Sequence, residues 1–309
     1  RVISTPRHYA YLKIAEGCNN GCYYCAIPLI RGALRSRELN DCVAEARWLA
    51  GEGVRELILV AQDPTAYGED WGKPGAICDL LDALQKIEGI RWIRILYAYP
   101  ERISDAFIAA MVRNTKVVPY LDLPIQHCDD AVLKAMNRRG GRREIEDAIA
   151  RLRAAIPGIT LRTTLIAGFP GETEEQYAEL CDFVKTVKFD RLGCFAYSAE
   201  ENTVAAKMPN QLDEETKQRR ADHIMELQAE VSAAREGEKV GNTYECICDG
   251  VDDETGMYLL RTKADCPEID GNVLTPADTP LETGAFYNVT ITDADTYDLY
   301  GYAEERLED

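Results

Sequence analysis

Short apolar segments alternate with amphipathic segments along the first three quarters of the chain. Six segments have the apolar character of buried strands, at residues 9–15, 56–61, 92–97, 117–123, 159–167 and 191–197. Segments with apolar residues at helical spacing separate them, at 38–50, 77–87, 104–112, 131–136, 143–155 and 173–187, and a longer one follows at 213–235. Strands that alternate strictly with helices form a parallel sheet covered by helices.

The number of strand–helix units predicts how far this sheet closes. Six units are fewer than the eight of a complete barrel. We therefore predict an α/β fold whose first part is an incomplete (β/α)6 TIM-like barrel. In such barrels the reactive groups lie on loops at the carboxyl ends of the strands.

The pattern changes after Glu238. Short β-type runs at 243–248, 258–261, 286–292 and 299–302 are separated by Gly, Asp and Pro turns. This pattern is typical of a small antiparallel β-barrel of the OB type. We predict two domains, a partial barrel with its closing helix at 1–237 and a β-barrel at 238–309.

Composition indicates a globular protein of a reducing compartment. Apolar residues make up 46% of the 309 residues, and no apolar run approaches the roughly 20 residues of a membrane helix. We find no signal peptide and expect no membrane association. The eleven cysteines are odd in number, and eight of them are scattered, so we expect no disulfide framework and a cytoplasmic location.

Negative charge is concentrated in the C-terminal segment. From Val240 onward, three cations face 17 Asp and Glu, a net charge of −14, whereas the preceding part has 32 cations and 36 anions, a net charge of −4. Such an asymmetry predicts a partner-specific surface on the terminal barrel.

Three cysteines within eight residues follow the first predicted strand. Cys18, Cys22 and Cys25 lie in a loop whose glycines and asparagines predict exposure. Structural zinc sites usually need a second cysteine or histidine pair, which the sequence does not place nearby. Inert buried thiols are a further alternative. Iron–sulfur clusters are held by thiolates, and three thiolates leave one iron open.

The spacing of these cysteines, with Tyr24 before the last, resembles the signature of radical S-adenosylmethionine (SAM) enzymes. The resemblance implies one [4Fe-4S] cluster on Cys18, Cys22 and Cys25, with SAM chelating the open iron. It also implies that an electron from the cluster cleaves SAM to a deoxyadenosyl radical, and that a partner protein donates the electron.

Further segments resemble the methylthiotransferases, including Ala26-Ile-Pro-Leu-Ile-Arg-Gly32 and Gly168-Phe-Pro-Gly-Glu-Thr173. The terminal barrel is similar to their TRAM domain. Ala15-Glu-Gly-Cys-Asn19 and Pro124-Ile-Gln-His-Cys128 resemble the RimO branch, which implies methylthiolation of an aspartate of small-subunit ribosomal protein S-twelve.

The resemblance implies one more domain than this sequence contains. Methylthiotransferases have an N-terminal domain whose three cysteines hold a second [4Fe-4S] cluster. This chain begins at Arg1, just ahead of the barrel, so we expect a fragment that cleaves SAM and does not insert sulfur unaided.

Four side chains are candidates for binding SAM. The aromatic of the family, Tyr24 here, lies near the adenine, although packing beneath the loop is the alternative. Gln62 and Gln126 follow strands, and Arg162 lies within one, so each can face the barrel mouth. Arg162 is the best match for a carboxylate because a guanidinium binds it through two hydrogen bonds. An ordinary structural hydrogen bond remains an alternative for each.

Charge discriminates between the two substrates of such enzymes. An acidic module repels the phosphates of RNA, and it attracts a basic ribosomal protein. We therefore expect a basic ribosomal protein substrate docked by the TRAM-like module, and no RNA binding. The alternatives are methylthiolation of transfer-RNA adenosine and a non-enzymatic module that binds a ribosomal protein or RNA.

Overall fold

The computed structural model describes residues 3–276 and 280–308. The strands are β1 (Tyr9–Lys13), β2 (Ala15–Glu16), β3 (Arg35–Ser36), β4 (Glu56–Val60), β5 (Trp92–Ile95), β6 (Val117–Asp122), β7 (Thr160–Ala167), β8 (Arg191–Ala196), β9 (Thr243–Val251), β10 (Tyr258–Thr262), β11 (Val273–Thr275), β12 (Phe286–Ala294) and β13 (Leu299–Arg306). The α-helices are α1 (Ile27–Arg31), α2 (Leu39–Gly51), α3 (Ile77–Leu84), α4 (Asp105–Arg113), α5 (Asp130–Ala135), α6 (Arg142–Ala155), α7 (Glu174–Val187) and α8 (Glu214–Gly237).

The six predicted strands form one open parallel sheet in the order β1-β4-β5-β6-β7-β8. Each neighbouring pair is parallel, so all six carboxyl ends lie at one edge of the sheet. Because β1 and β8 do not pair with each other, the barrel is incomplete, as the count of strand–helix units predicts.

Alternate residues of the strands face the helices. Leu12, Leu57, Ile93, Leu121 and Leu161 are fully buried in the main apolar core, together with residues of α2, α3, α6 and α7. Burial of each such side chain contributes about 1.5–3 kcal/mol, so this layer supplies most of the stability of the first domain.

The opposite face of the sheet packs on the terminal barrel. Ile58, Trp92 and Tyr120 share a second apolar core with Ile247 and Phe286 of that barrel. The terminal barrel therefore covers this face of the sheet, whereas the carboxyl edge of the sheet stays free for the cysteine loop.

The terminal module is a closed five-stranded barrel with the order β10-β11-β13-β12-β9. Its pairings are antiparallel except that β11 runs parallel to β13, so the predicted antiparallel β-barrel contains one parallel pair. Strand β11 could not be predicted from the sequence, because it spans only three residues between Asn272 and Pro276. The boundary between residues 237 and 238 stays a prediction, although α8 ends at Gly237 and β9 begins at Thr243.

Buried ion pairs fix how the two modules meet. Glu56 of β4 accepts from Arg94 Nε at 2.7 Å and from Arg261 of the terminal barrel at 2.8 Å. Arg191 of β8 donates to Asp265 at 2.6 Å. A buried charge that lost its partner would cost several kcal/mol, so these pairs disfavour other arrangements of the modules.

The sequence signals for helix ends agree with the structure. Ser104 accepts from the Phe107 backbone N–H ahead of α4, and Thr173 and Gln176 form a reciprocal capping box ahead of α7. Helix α1 and the short β2–β3 pair were not predicted. Among the described residues, no helix is long and apolar enough to cross a membrane.

Candidate active site

The cysteine loop lies at the carboxyl end of β1, between β2 and α1. The β2–β3 pairing closes its base, where the Cys18 N–H donates to Gly32 O at 3.1 Å. Gly17 has φ +76°, and a Cβ at this position would lie 2.2 Å from Ala33 O. Only glycine therefore fits where the two arms of the loop cross.

The three thiols have different surroundings. The backbone N–H of Asn20 points at Cys18 Sγ at 3.4 Å, and Cys22 Sγ lies 3.2 Å from the hydroxyl of Tyr99. Burial raises the pKa of Cys18 and of Cys25. Because burial disfavours an isolated thiolate, these sulfurs gain from the positive charge of a bound metal.

The three thiols of the loop are the donor set of an iron–sulfur cluster. Among the described residues, no group of three or more Cys, His, Asp or Glu converges on one metal position. A [4Fe-4S] cluster instead takes its thiolates on separate irons, and so needs three sulfurs around a common space. The backbone N–H of Asn20, which points at Cys18 Sγ, matches the hydrogen bonds that cluster sulfurs accept.

A polar network at the end of β4 holds the loop. Asn20 donates to Asp63 Oδ2 at 2.9 Å, and Arg102 donates to Asn20 Oδ1 at 2.9 Å and to Asp63 at 3.0 Å. Burial raises the pKa of Asp63 although Arg102 and Asn20 oppose the effect. Asn20 is therefore buried, which corrects the expectation that all of the loop is exposed.

Tyr24 is half-buried beneath the loop. It packs against the apolar group that contains Met136, Phe169 and Tyr197. Burial raises the pKa of its hydroxyl, so Tyr24 stays protonated at neutral pH. The structure thus places it both near the cysteines and in a packing environment, and its contact with adenine stays a prediction.

Gln62 and Gln126 lie at the carboxyl edge of the sheet. The side-chain oxygen of Gln62 is buried and has no hydrogen-bond partner in the described residues. Gln126 has φ +71° and links the chain after β6 to β7 through Thr164 and Ile166. An unpaired buried oxygen and a strained non-glycine backbone are features that cluster at binding sites, so the edge is suited to a ligand.

Arg162 lies in β7 beside Asp122, the last residue of β6. Its guanidinium donates to Asp122 at 3.1 Å and is 3.7 Å from Asp270 of the terminal barrel. Two carboxylates of the chain therefore already surround its guanidinium. Its assignment to the SAM carboxylate stays a prediction.

Sequence reasoning missed Tyr99, Arg102 and Arg138 as neighbours of the loop. Tyr99 and Arg102 follow β5, so the rule about carboxyl ends of strands could have found them. Arg138 follows α5, and no local pattern marks it as close to Cys22.

Aromatic side chains line the open part of the edge. Tyr97, with φ +64° after β5, is 40% exposed, and Phe195 of β8 is 63% exposed. Exposed aromatic groups at the carboxyl ends of strands are suited to contact a ligand or a substrate chain.

Comparison with known proteins assigns both modules. Residues 12–184 match the family model of the Radical SAM superfamily, and residues 240–303 match that of the TRAM domain. Among solved structures, coproporphyrinogen III oxidase (HemN) from Escherichia coli has a TM-score of 0.57 and 17% identity, over 76% of this chain and 56% of that one. The methyltransferase TsrM from Kitasatospora setae has a TM-score of 0.52 and 16% identity, over 63% and 39%. These structures share the fold.

Curated relatives are much more similar in sequence. Proteins described as "Ribosomal protein uS12 methylthiotransferase RimO" are 47% identical in Acetivibrio thermocellus, 46% in Thermoanaerobacter sp. and 47% in Flavobacterium psychrophilum. Each match covers 97% of this chain and 66%, 68% and 69% of the relative, respectively, so the chain spans about two thirds of their length. The chain therefore belongs to the radical SAM superfamily and, within it, to the RimO family of methylthiotransferases.

Proposed function

We propose that this chain supplies the radical SAM and substrate-docking modules of an enzyme that methylthiolates an aspartate of ribosomal protein uS12. The observation that carries the proposal is the loop of three cysteines at the carboxyl edge of an open parallel sheet. The identity of 46–48% to proteins with that described activity supports the choice of substrate.

Cys18, Cys22 and Cys25 would each hold one iron of a [4Fe-4S] cluster and leave the fourth iron for SAM. When bound, such a cluster supplies the electron that cleaves SAM to a deoxyadenosyl radical. The chain keeps the thiols in place through Asn20 and Asp63, whose hydrogen bonds restrain the loop. A second cluster, for sulfur delivery, would act together with this one in the whole enzyme.

Three further side chains would orient SAM. Tyr24 would contact the adenine, and Gln62 and Gln126 would hydrogen-bond to the ribose or the amino acid portion. The buried, unpaired oxygen of Gln62 supports this role, since a ligand hydroxyl would satisfy it. Arg162 would bind the carboxylate only if its ion pairs with Asp122 and Asp270 opened.

The terminal barrel would dock the basic substrate. Asp249, Asp265 and Asp270 face inward and pair with or approach arginines, so they do not contribute to an outer surface. The exposed cations are also paired, since Arg306 contacts Glu282 and Lys263 lies 3.7 Å from Glu245.

Part of the exposed acidic charge of this module forms an acidic strip on β12, β13 and their connection. We define this acidic strip by its exposed members Asp293, Asp295, Glu304 and Glu305. A surface of one sign accelerates encounter with a protein of the opposite sign, and salt screens the attraction.

A charge-reversal variant tests this docking. Asp293→Lys combined with Glu305→Lys is expected to weaken binding of uS12 about tenfold or more at low salt, and the difference should shrink at high salt. Glu88→Lys combined with Glu226→Lys, on the first module, is the matched control. Affinities from calorimetry that are equal for both double variants would contradict the docking surface.

The substrate itself is tested with the full-length enzyme, anaerobically reconstituted and supplied with a reductant and SAM. Mass spectrometry is expected to find one methylthio group on an aspartate of uS12 and none on transfer RNA. The Cys18→Ala, Cys22→Ala, Cys25→Ala triple variant is expected to give no product. Product on transfer RNA alone would overturn the proposal.

An electron-donating protein would replace the chemical reductant in the cell, whose reducing cytoplasm suits the eleven free thiols.

A further inference from the structure

A tyrosine and an arginine lie beside the cysteine loop. The hydroxyl of Tyr99 lies 3.2 Å from Cys22 Sγ. The guanidinium carbon of Arg138 lies 4.0 Å from the centroid of the Tyr99 ring. Arg138 is only 8% exposed, so its charge acts in a poorly solvated space.

The direction of the Tyr99 hydrogen bond follows from the chemistry of the sulfur. A thiol and a phenol can each donate to the other, but a thiolate bound to iron has no proton to give. When Cys22 is a ligand, Tyr99 is therefore the donor. Its proton then points at a sulfur that bears part of the cluster's negative charge.

The positive charge of Arg138 is not neutralised by an ion pair. One terminal nitrogen donates to Pro124 O at 3.1 Å, and the other is buried without a partner. Within residues 3–276 and 280–308, no carboxylate lies at ion-pair distance from this guanidinium. The nearby Glu101 uses one oxygen to accept from the Gly140 N–H at 2.9 Å. The charge of Arg138 lies against the Tyr99 ring, and the Glu101 carboxylate acts on it only from beyond ion-pair distance.

We propose that Tyr99, supported by Arg138, raises the reduction potential of the cluster that the cysteine loop holds. This inference rests on the proposed function, since it requires the cluster on Cys18, Cys22 and Cys25. Reduction adds one electron and therefore one negative charge. Hydrogen bonds to the sulfurs and a nearby cation stabilise the more negative form, and such hydrogen bonds are a recognised determinant of cluster potential.

The test compares the wild-type chain with Tyr99→Phe and Arg138→Gln after anaerobic reconstitution. The potential is measured by titration with dithionite, and the reduced cluster is detected by electron paramagnetic resonance. Dithionite supplies the single electron, and Tyr99 keeps its proton. Tyr177→Phe is the matched control, since it removes a buried tyrosine hydroxyl that contacts His223 on the helix layer.

We expect Tyr99→Phe to retain full iron content and to become harder to reduce. At a fixed potential, its ratio of reduced to oxidised cluster should fall about tenfold, a shift of about 59 mV for one electron. Arg138→Gln should shift the potential in the same direction by a smaller amount, and Tyr177→Phe should match the wild type.

The outcomes separate this inference from the proposed function. An unchanged potential in both Tyr99→Phe and Arg138→Gln, at full iron content, would overturn the inference and leave the proposed function intact. Loss of iron from a folded Tyr99→Phe would also overturn it, because Tyr99 would then hold the loop. Failure of the wild-type chain to bind iron would overturn both.

Discussion

Within the cysteine loop, Asn20 makes the hydrogen bonds that restrain the loop most directly. Its side chain donates to Asp63 and accepts from Arg102, and its backbone N–H points at Cys18 Sγ. The loop is thus tied to the end of β4 before any metal is bound. Sequence reasoning recognised Asn20 only as a residue of an exposed loop, because its partners lie 43 and 82 positions away along the chain.

Asn20→Ala is expected to reduce iron content after reconstitution and to destabilise the fold by about 1–3 kcal/mol, since it removes the hydrogen bonds of Asn20 to the charged groups of Asp63 and Arg102. Iron analysis and urea unfolding measure the two effects. Asn288→Ala in the terminal barrel serves as the control. It should change neither the iron content nor the free energy of unfolding by a comparable amount. Full iron content in Asn20→Ala would contradict the restraining role.

At the scale of elements, the strands of the sheet could be predicted because each is an apolar segment bounded by helical periodicity. Helix α1 could not, since it has five residues, all of them at least partly exposed. Strand β11 has three residues, too few for an alternating pattern. The contact of β4 with the terminal barrel was also not predictable, because Glu56 and Arg261 pair across 205 positions.

The close approach of the two loop arms at the β2–β3 pair leads to a prediction about Gly17. Gly17→Ala adds a Cβ that would lie 2.2 Å from Ala33 O, in a backbone with φ +76°. The left-handed backbone alone costs about 1–2 kcal/mol, and the clash adds to that cost.

Gly241→Ala is the matched control, since Gly241 has φ +86° and open space around the added Cβ. Urea unfolding should therefore show a larger loss of stability for Gly17→Ala than for Gly241→Ala, and only Gly17→Ala should lose bound iron. Equal losses of stability would mean that the close approach of the loop arms is not important.

At the scale of the molecule, the sheet has two functions on its inner face. Away from the carboxyl edge, this face binds the terminal barrel through apolar contacts and the Glu56–Arg94–Arg261 ion pairs. Its carboxyl edge carries the cysteine loop, Gln62 and Gln126. The acidic charge of the terminal module was predictable from composition, but its division between inward-facing pairs and the outer acidic strip required the structure.

The contact between the modules predicts a pH dependence. Burial alone would raise the pKa of Asp265, but Arg191, Lys239 and Thr262 outweigh it and lower the pKa to about 2 from 3.8. The stabilisation that ionised Asp265 contributes to the fold is therefore complete above pH 3.8, and it is lost as the pH falls towards 2.

Asp265→Asn is expected to lose about 2 kcal/mol of unfolding free energy at pH 7. The difference from the wild type should be the same at pH 5 and smaller at pH 3, as measured by urea unfolding. Asp293→Asn, on the exposed strip, should show little effect at any of these pH values. If the difference in unfolding free energy between Asp265→Asn and the wild type grew as the pH fell, it would contradict a stabilising role for the Arg191–Asp265 ion pair.

The most direct test of the account is whether the three cysteines make this chain a SAM-cleaving iron–sulfur protein. The chain is reconstituted anaerobically with iron and sulfide, and its iron content and the deoxyadenosine formed from SAM under reduction are measured. The account predicts about four irons per chain and deoxyadenosine for the wild type and for the Cys78→Ala, Cys194→Ala control. It predicts neither for the Cys18→Ala, Cys22→Ala, Cys25→Ala variant. Equal iron and deoxyadenosine in that triple variant would contradict it.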